Sequence, residues 1–142
     1  MKQAPVPVIT PHLFQVRVYY EDTDFSGVVY HASYLRFLER GRTEFLRDLG
    51  IHQAAIFAGE GGEVFAFAVR NLVLDFIKPA RMDDQLWIET ETQKIGGASI
   101  EMEQRILRAD EVLLTAKVRV AVVADGRARR IPAAILAKFA AI

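Results

Sequence analysis

The chain has 142 residues, enough for one domain with a true core, and 51% hydrophobic against 25% charged residues excludes global disorder. Lys plus Arg and Asp plus Glu both total 18, so the chain lacks the basic excess of a nucleic-acid binder. With no cysteine, disulfides, thiolate metal sites and cysteine nucleophiles are excluded.

Pro5, Pro7 and Pro11 predict an extended arm over residues 1–12. That segment also lacks the apolar region of a signal peptide, and no run approaches the ~20 apolar residues of a membrane helix, so a cytoplasmic protein without a transmembrane segment is expected. Phe14, Val16, Val18 and Tyr20 alternate with Gln15, Arg17 and Tyr19, the period of a half-buried strand. The turn 21–30 breaks it. His31 to Gly50 reads as the main helix, with Tyr34, Phe37, Leu38, Gly41, Phe45, Leu46 and Leu49 on one stripe. Arg36, Glu39, Arg40, Arg42, Arg47 and Asp48 fall mostly opposite. Gly41 in mid-helix costs about 1 kcal/mol against alanine and points to a close backbone contact.

A short helical piece is expected over 51–59, then a flexible break at Glu60-Gly61-Gly62. Strand patterns follow over 65–77, 86–94, 100–106 and 112–122, separated by turns at 78–84, Gly96-Gly97 and 109–111. Asp125-Gly126 is a further turn, and Pro132 opens a C-terminal helix whose Ile135, Leu136, Phe139 and Ile142 are apolar enough to dock. Strand, long helix and a four-strand meander make an α+β domain spanning 1–142. About five strands in one sheet, with the long helix across it, is the economical arrangement. Its edge strands invite pairing with a second copy.

The stretch Tyr19–Arg42 carries the chemistry. Asp24 precedes His31 by seven residues, with Ser26 and Gly27 between, where a strand turns into a helix. A helix start has unpaired N–H groups that suit a developing oxyanion, and a carboxylate beside them can act as nucleophile or as general base toward water. Against this stands the plain reading of Asp22 and Asp24 as turn and capping residues. An Asp22, Asp24, His31 metal site matches no metal-ligand spacing, and Ser26 lacks the glycine two positions earlier that a nucleophile elbow needs.

YYEDTDFSGVVYHASYLRFLERGR resembles the hotdog-fold acyl-CoA thioesterases of the 4-hydroxybenzoyl-CoA thioesterase-like class, and most of all the YbgC-type enzymes associated with the Tol-Pal system. The matching residues are Tyr20, Asp22-Thr23-Asp24, Gly27-Val28-Val29, Tyr30-His31, Tyr34 and Arg42. The segments Asp75–Asp84 and Gly126–Pro132 also fit. Ala32-Ser33 departs from the Ala-Asn more usual in the family.

The resemblance implies a hotdog fold, a curved antiparallel sheet wrapped around the long helix, pairing edge to edge into dimers and often dimers of dimers. It implies hydrolysis of acyl-CoA, or of acyl groups on acyl carrier protein, without metal or cofactor. Asp24 would be nucleophile or general base, and the His31 backbone N–H the oxyanion donor. The side chains of His31 and Tyr20 would position the reacting groups, and Ser26, Gly27 and Val28 would line the substrate site. For the phosphates of coenzyme A, the cations Lys78, Arg81, Arg129 and Arg130 at turn ends are candidates. Phe25, Phe65 and Phe67 are candidates for the acyl pocket or for plain core. The competing readings are a non-catalytic acyl or acyl-carrier-protein binding module serving an envelope or lipid system, a structural partner of an envelope complex, and a hotdog hydratase, whose distinct motif is missing.

Overall fold

The computed structural model describes residues 11–140. The expected arm lies outside the described residues except for Pro11 and His12, and His12 already opens the first strand. The elements run β1 (His12–Arg17), α1 (His31–Asp48), α2 (Gln53–Phe57), β2 (Ala66–Phe76), β3 (Gln85–Ile95), β4 (Ser99–Arg108), β5 (Glu111–Ala124), β6 (Arg127–Ala128) and α3 (Ala133–Ala140). They form one curled antiparallel sheet of order β1-β3-β4-β5-β2, with β6 beside β5.

Only β3, β4 and β5 form a meander. β2, expected next to β3, pairs with β5 at the far edge. The cause lies in α1, which carries the chain across the concave face from the β1 edge to the β2 edge. β3 then returns beside β1, and the meander fills the space between.

α1 buries Tyr34, Phe37, Leu38, Gly41, Phe45 and Leu46 against Leu86 and Ile88 of β3, Ile100, Met102 and Ile106 of β4, and the inward residues of β5. Each large side chain so buried contributes about 1.5–3 kcal/mol. Gly41 is required by contact: a Cβ there would meet Ile88 Cγ2 at 2.4 Å. On β5 a bulge opposite Ile106 and Leu107 makes Leu113 the extra residue. Leu113 is therefore buried, and Val112, which the alternation over 112–122 puts on the same face as the buried Leu114, is only half-buried. Asp125 and Gly126 both take positive φ, 53° and 73°, as a tight hairpin turn requires, and the hairpin yields the two-residue β6. α3 docks through Ile135 and Phe139, with Leu136 partly exposed, and its Lys138 Nζ donates to the Gly50 carbonyl at 2.7 Å beyond the end of α1.

Candidate active site

β1 ends at Arg17, earlier than the alternation predicts. Beyond it Val18 still pairs with the 83–84 segment, through Val18 N–H to Asp84 O and Asp83 N–H to Val18 O, both 2.9 Å. Tyr20–Asp22 then form a single 3-10 turn, which takes Tyr20 out of the strand and leaves its side chain 79% exposed.

The two aspartates have separate duties. The Asp22 carboxylate is buried and accepts the Tyr19 N–H at 2.8 Å, while its carbonyl accepts the Tyr30 N–H at 2.8 Å. Asp22 is thus a capping residue closing the neck of the loop. Asp24 is exposed at the tip. Its Oδ1 accepts the Ser26 N–H at 2.8 Å and the Ser26 hydroxyl at 2.6 Å, and among the described residues Oδ2 has no partner. The Ser26 hydroxyl, then the Ser26 N–H, hold the Asp24 carboxyl below its ordinary 3.8, so it is ionised at neutral pH. Gly27 turns the chain at φ +86°, and a Cβ there would touch nothing within 4 Å, so the need is conformational and not steric.

α1 starts without a side-chain cap, because Tyr30 occupies the position that Ser, Thr, Asp or Asn would fill. Ser33 N–H reaches back to Tyr30 O at 2.8 Å, but among the described residues the His31 and Ala32 N–H groups donate to nothing. A capping side chain is worth about 1 kcal/mol. Its absence leaves a helix start open to an anion. The His31 ring packs on Tyr30 at 4.4 Å between centroids. Together His31, Val29, Tyr34, Phe76, Ile77, Lys78 and Pro79 line a cleft of about 260 Å³ over this end of the helix.

The 78–84 turn clips to this loop. Val28 bridges to Arg81, and the Val29 N–H donates to Ala80 O at 2.9 Å. Arg81 is thereby brought to the Asp24 turn, and Lys78 lines the cleft with His31. Lys78 Nζ pairs with Glu111 at 2.8 Å, and Arg81 makes no ion pair among the described residues. Arg108 braces the same turn between Asp84 at 2.8 Å and Glu111 at 2.6 Å. Arg129 and Arg130 are not brought there. Lys78 N–H bonds Leu113 O and Arg129 N–H bonds Val122 O, so nine residues of β5, roughly 30 Å, separate the two pairs of cations. Phe25 is fully exposed, Phe65 is core, and Phe67 lines a second groove beside α1.

Two features escaped the sequence reading. Arg42 is not simply on the outer face: its Nη1 donates to Gln104 Oε1 at 3.0 Å, and Gln104 donates to Leu38 O at 3.0 Å and to Thr90 Oγ1 at 2.9 Å beneath α1. A glutamine in the inward register between Met102 and Ile106 was the available signal. The other is Tyr34, whose hydroxyl accepts the Ala80 N–H at 3.0 Å. Among the described residues no group of three His, Cys, Asp or Glu is arranged to hold a metal ion.

A thioesterase superfamily model matches residues 26–115, well over half of the chain. The chain belongs to the thioesterase superfamily. This thioesterase is 47% identical over 114 residues to the acyl-CoA thioesterase YbgC of Haemophilus influenzae, covering 80% of this chain and 82% of that one. It is 45% identical over 127 residues to an acyl-CoA thioester hydrolase YbgC of Escherichia coli, covering 87% and 92%. A crystal structure of a probable thioesterase from Bartonella henselae superposes with TM-score 0.83 at 48% identity, covering 87% of this chain and all of that one. The wrapped-helix fold of the thioesterase is therefore the one that the resemblance implied; the start of α1 at His31 lies inside the matched residues 26–115, and Asp24 lies two residues before them.

Proposed function

We propose that the protein hydrolyses acyl-CoA to the free acid and coenzyme A, with Asp24 as the reacting carboxylate and the His31 and Ala32 amides as the oxyanion site. The observation that carries this is the pairing, on one strand–turn–helix, of an ionised carboxylate with a half-free edge and a helix start without a cap. Either Asp24 attacks the thioester carbonyl or it takes a proton from an attacking water. In both cases a C–O bond forms at the carbonyl carbon, the carbonyl oxygen gains charge facing the amides, and the C–S bond breaks to release the thiolate. When water attacks, the proton taken up by Asp24 passes to the thiolate. When Asp24 attacks, water then cleaves the acyl–aspartyl anhydride to the free acid, restores the carboxylate and supplies the thiol's proton. Lys78 and Arg81 would neutralise phosphates of coenzyme A, and the cleft over α1 would take the acyl end; their support is the nearness of the 78–84 turn to the Asp24 loop. Thiol release from aromatic, short, medium and long acyl-CoAs, with acyl-carrier-protein thioesters alongside, tests this reading. Asp24→Asn should abolish release from every member, and a variant with near wild-type turnover would sink the mechanism.

The site would work in an oligomer. β2 is an open edge with Val69, Val73 and Phe76 exposed, and beside it a groove of about 370 Å³ runs along α1 past Leu35, Glu39, Arg42, Phe67 and Leu72. Glu39 and Arg42 lie three residues apart on α1, so a two-fold axis there would set each against the other's counterpart. A second copy adding its β2 edge covers both features, and a pair of such dimers makes the tetramer. Light scattering on a sizing column should report a multimer, and a fully active monomer would contradict it. No helix among the described residues is long and apolar enough to cross a membrane. A cytoplasmic location stays the expectation drawn from the sequence, and the Tol-Pal connection rests on the resemblance.

A further inference from the structure

We propose that Tyr34 is a positioning residue for this hydrolysis: by accepting the Ala80 N–H, its hydroxyl sets the Asp24 turn against the free amides at the start of α1. The proposal rests on the reading of Asp24 as the reacting carboxylate.

Tyr34 falls on the apolar stripe of α1, three residues after His31, and is 4% exposed. Its ring meets Phe37 edge-on at 6.3 Å and Phe76 at 5.7 Å, so the ring is held and the hydroxyl position follows the helix. A core position needs the ring but not the hydroxyl. That oxygen serves Ala80, which is fully buried, so its N–H and its C=O must find partners inside the protein. The N–H takes Tyr34 at 3.0 Å, and the C=O takes the Val29 N–H at 2.9 Å. The next residue, Arg81, bridges to Val28, and the Val28 carbonyl accepts the Asp24 N–H at 2.9 Å.

A continuous path therefore runs from the end of the first turn of α1, through Ala80, to the backbone of Asp24. The covalent path between the same points passes through Gly27, whose freedom leaves it a poor ruler. Together the two paths close a ring. The ring fixes the direction of the carboxylate relative to the helix axis, and hence to the free amides. Without the hydroxyl, Ala80 keeps its bond to Val29 but loses its tie to the helix. The 78–84 turn and the Asp24 loop can then shift together.

The test compares wild type, Tyr34→Phe, Asp24→Asn and Phe139→Leu, a destabilised control on α3 whose ring packs on Phe45 near the far end of α1. Each is assayed for melting temperature and for kcat and KM over pH on the preferred acyl-CoA. Tyr34→Phe should stay folded and lose about 10- to 100-fold in kcat with KM changed less than about threefold, the scale of a small misplacement of reacting groups. Phe139→Leu should melt lower and keep kcat. Turnover lost in Asp24→Asn but kept in Tyr34→Phe overturns the proposal alone. So does a rise in KM in place of the fall in kcat, which would make Tyr34 a binding residue. Selective loss of an alkaline limb in Tyr34→Phe would show that the phenol donates a proton, and also overturns it. Turnover kept in Asp24→Asn overturns the underlying reading and this proposal with it.

Discussion

At the start of α1 the polar groups are left open, and about three turns further on they are closed. Among the described residues the His31 and Ala32 amides have no cap, and Asp24 keeps one oxygen free. Under the middle of the helix Gln104 uses both amide hydrogens and its carbonyl, on Leu38, Thr90 and Arg42, and it is fully buried. A buried polar group must be satisfied from within, because an unpaired one costs about 1–3 kcal/mol. Groups at the helix start are solvated, so leaving them unpaired costs little and keeps them ready for a ligand. One helix thus separates a place that holds the fold from the place proposed to do the chemistry.

Substitutions should divide along the same line. The largest effect expected is on activity: Asp24→Asn should cost roughly 10³-fold or more in kcat, the scale seen when a reacting group is removed. Its melting temperature and oligomer should match wild type, since the side chain is exposed and, among the described residues, bonded only to Ser26. Gln104→Leu should do the reverse. It strands the buried Thr90 hydroxyl and removes the acceptor of Arg42, so thermal or denaturant unfolding should show a loss of about 1–3 kcal/mol with kcat nearly unchanged. Equal losses of stability and kcat there would blur the comparison.

The smallest effect is a displacement in pH. Asp24 is depressed in the folded protein, first by the Ser26 hydroxyl, so it stays ionised until pH falls below the ordinary 3.8. Activity that needs the ionised form should therefore persist down to that range and be lost as pH falls through the folded value. Ser26→Ala removes the largest cause of the depression and should move the acid limb of the kcat profile upward, toward 3.8. A limb that stays in place would separate Asp24 from the rate-controlling ionisation.

The candidate site was partly legible. The Asp24 turn, the Gly27 reversal and the helix opening at His31 are contiguous, so residue type and spacing expose them. Tyr34 was legible only as an apolar-stripe residue, because its partner Ala80 is 46 residues away. Arg42 looked solvent-facing because a helical wheel does not show Gln104 beneath it. The four cations looked equivalent as turn-end charges. β5 separates Lys78 and Arg81 from Arg129 and Arg130, and that separation follows from strand pairing.

From the sequence alone came the elements and, through the resemblance, the thioesterase family. Period-two alternation and the apolar stripe of α1 act between near neighbours, and with no cysteine and no serine elbow the reacting group is most simply a carboxylate. The tertiary structure decided the rest: β2 beside β5 and not β3, Leu113 inside in place of Val112, and Ala80 bonded to both Tyr34 and Val29. The alternation of β2 is the same whichever strand it pairs with. Its partner is chosen by the crossing of α1 over the sheet, which buries one continuous core and brings the 78–84 turn down onto the Asp24 loop.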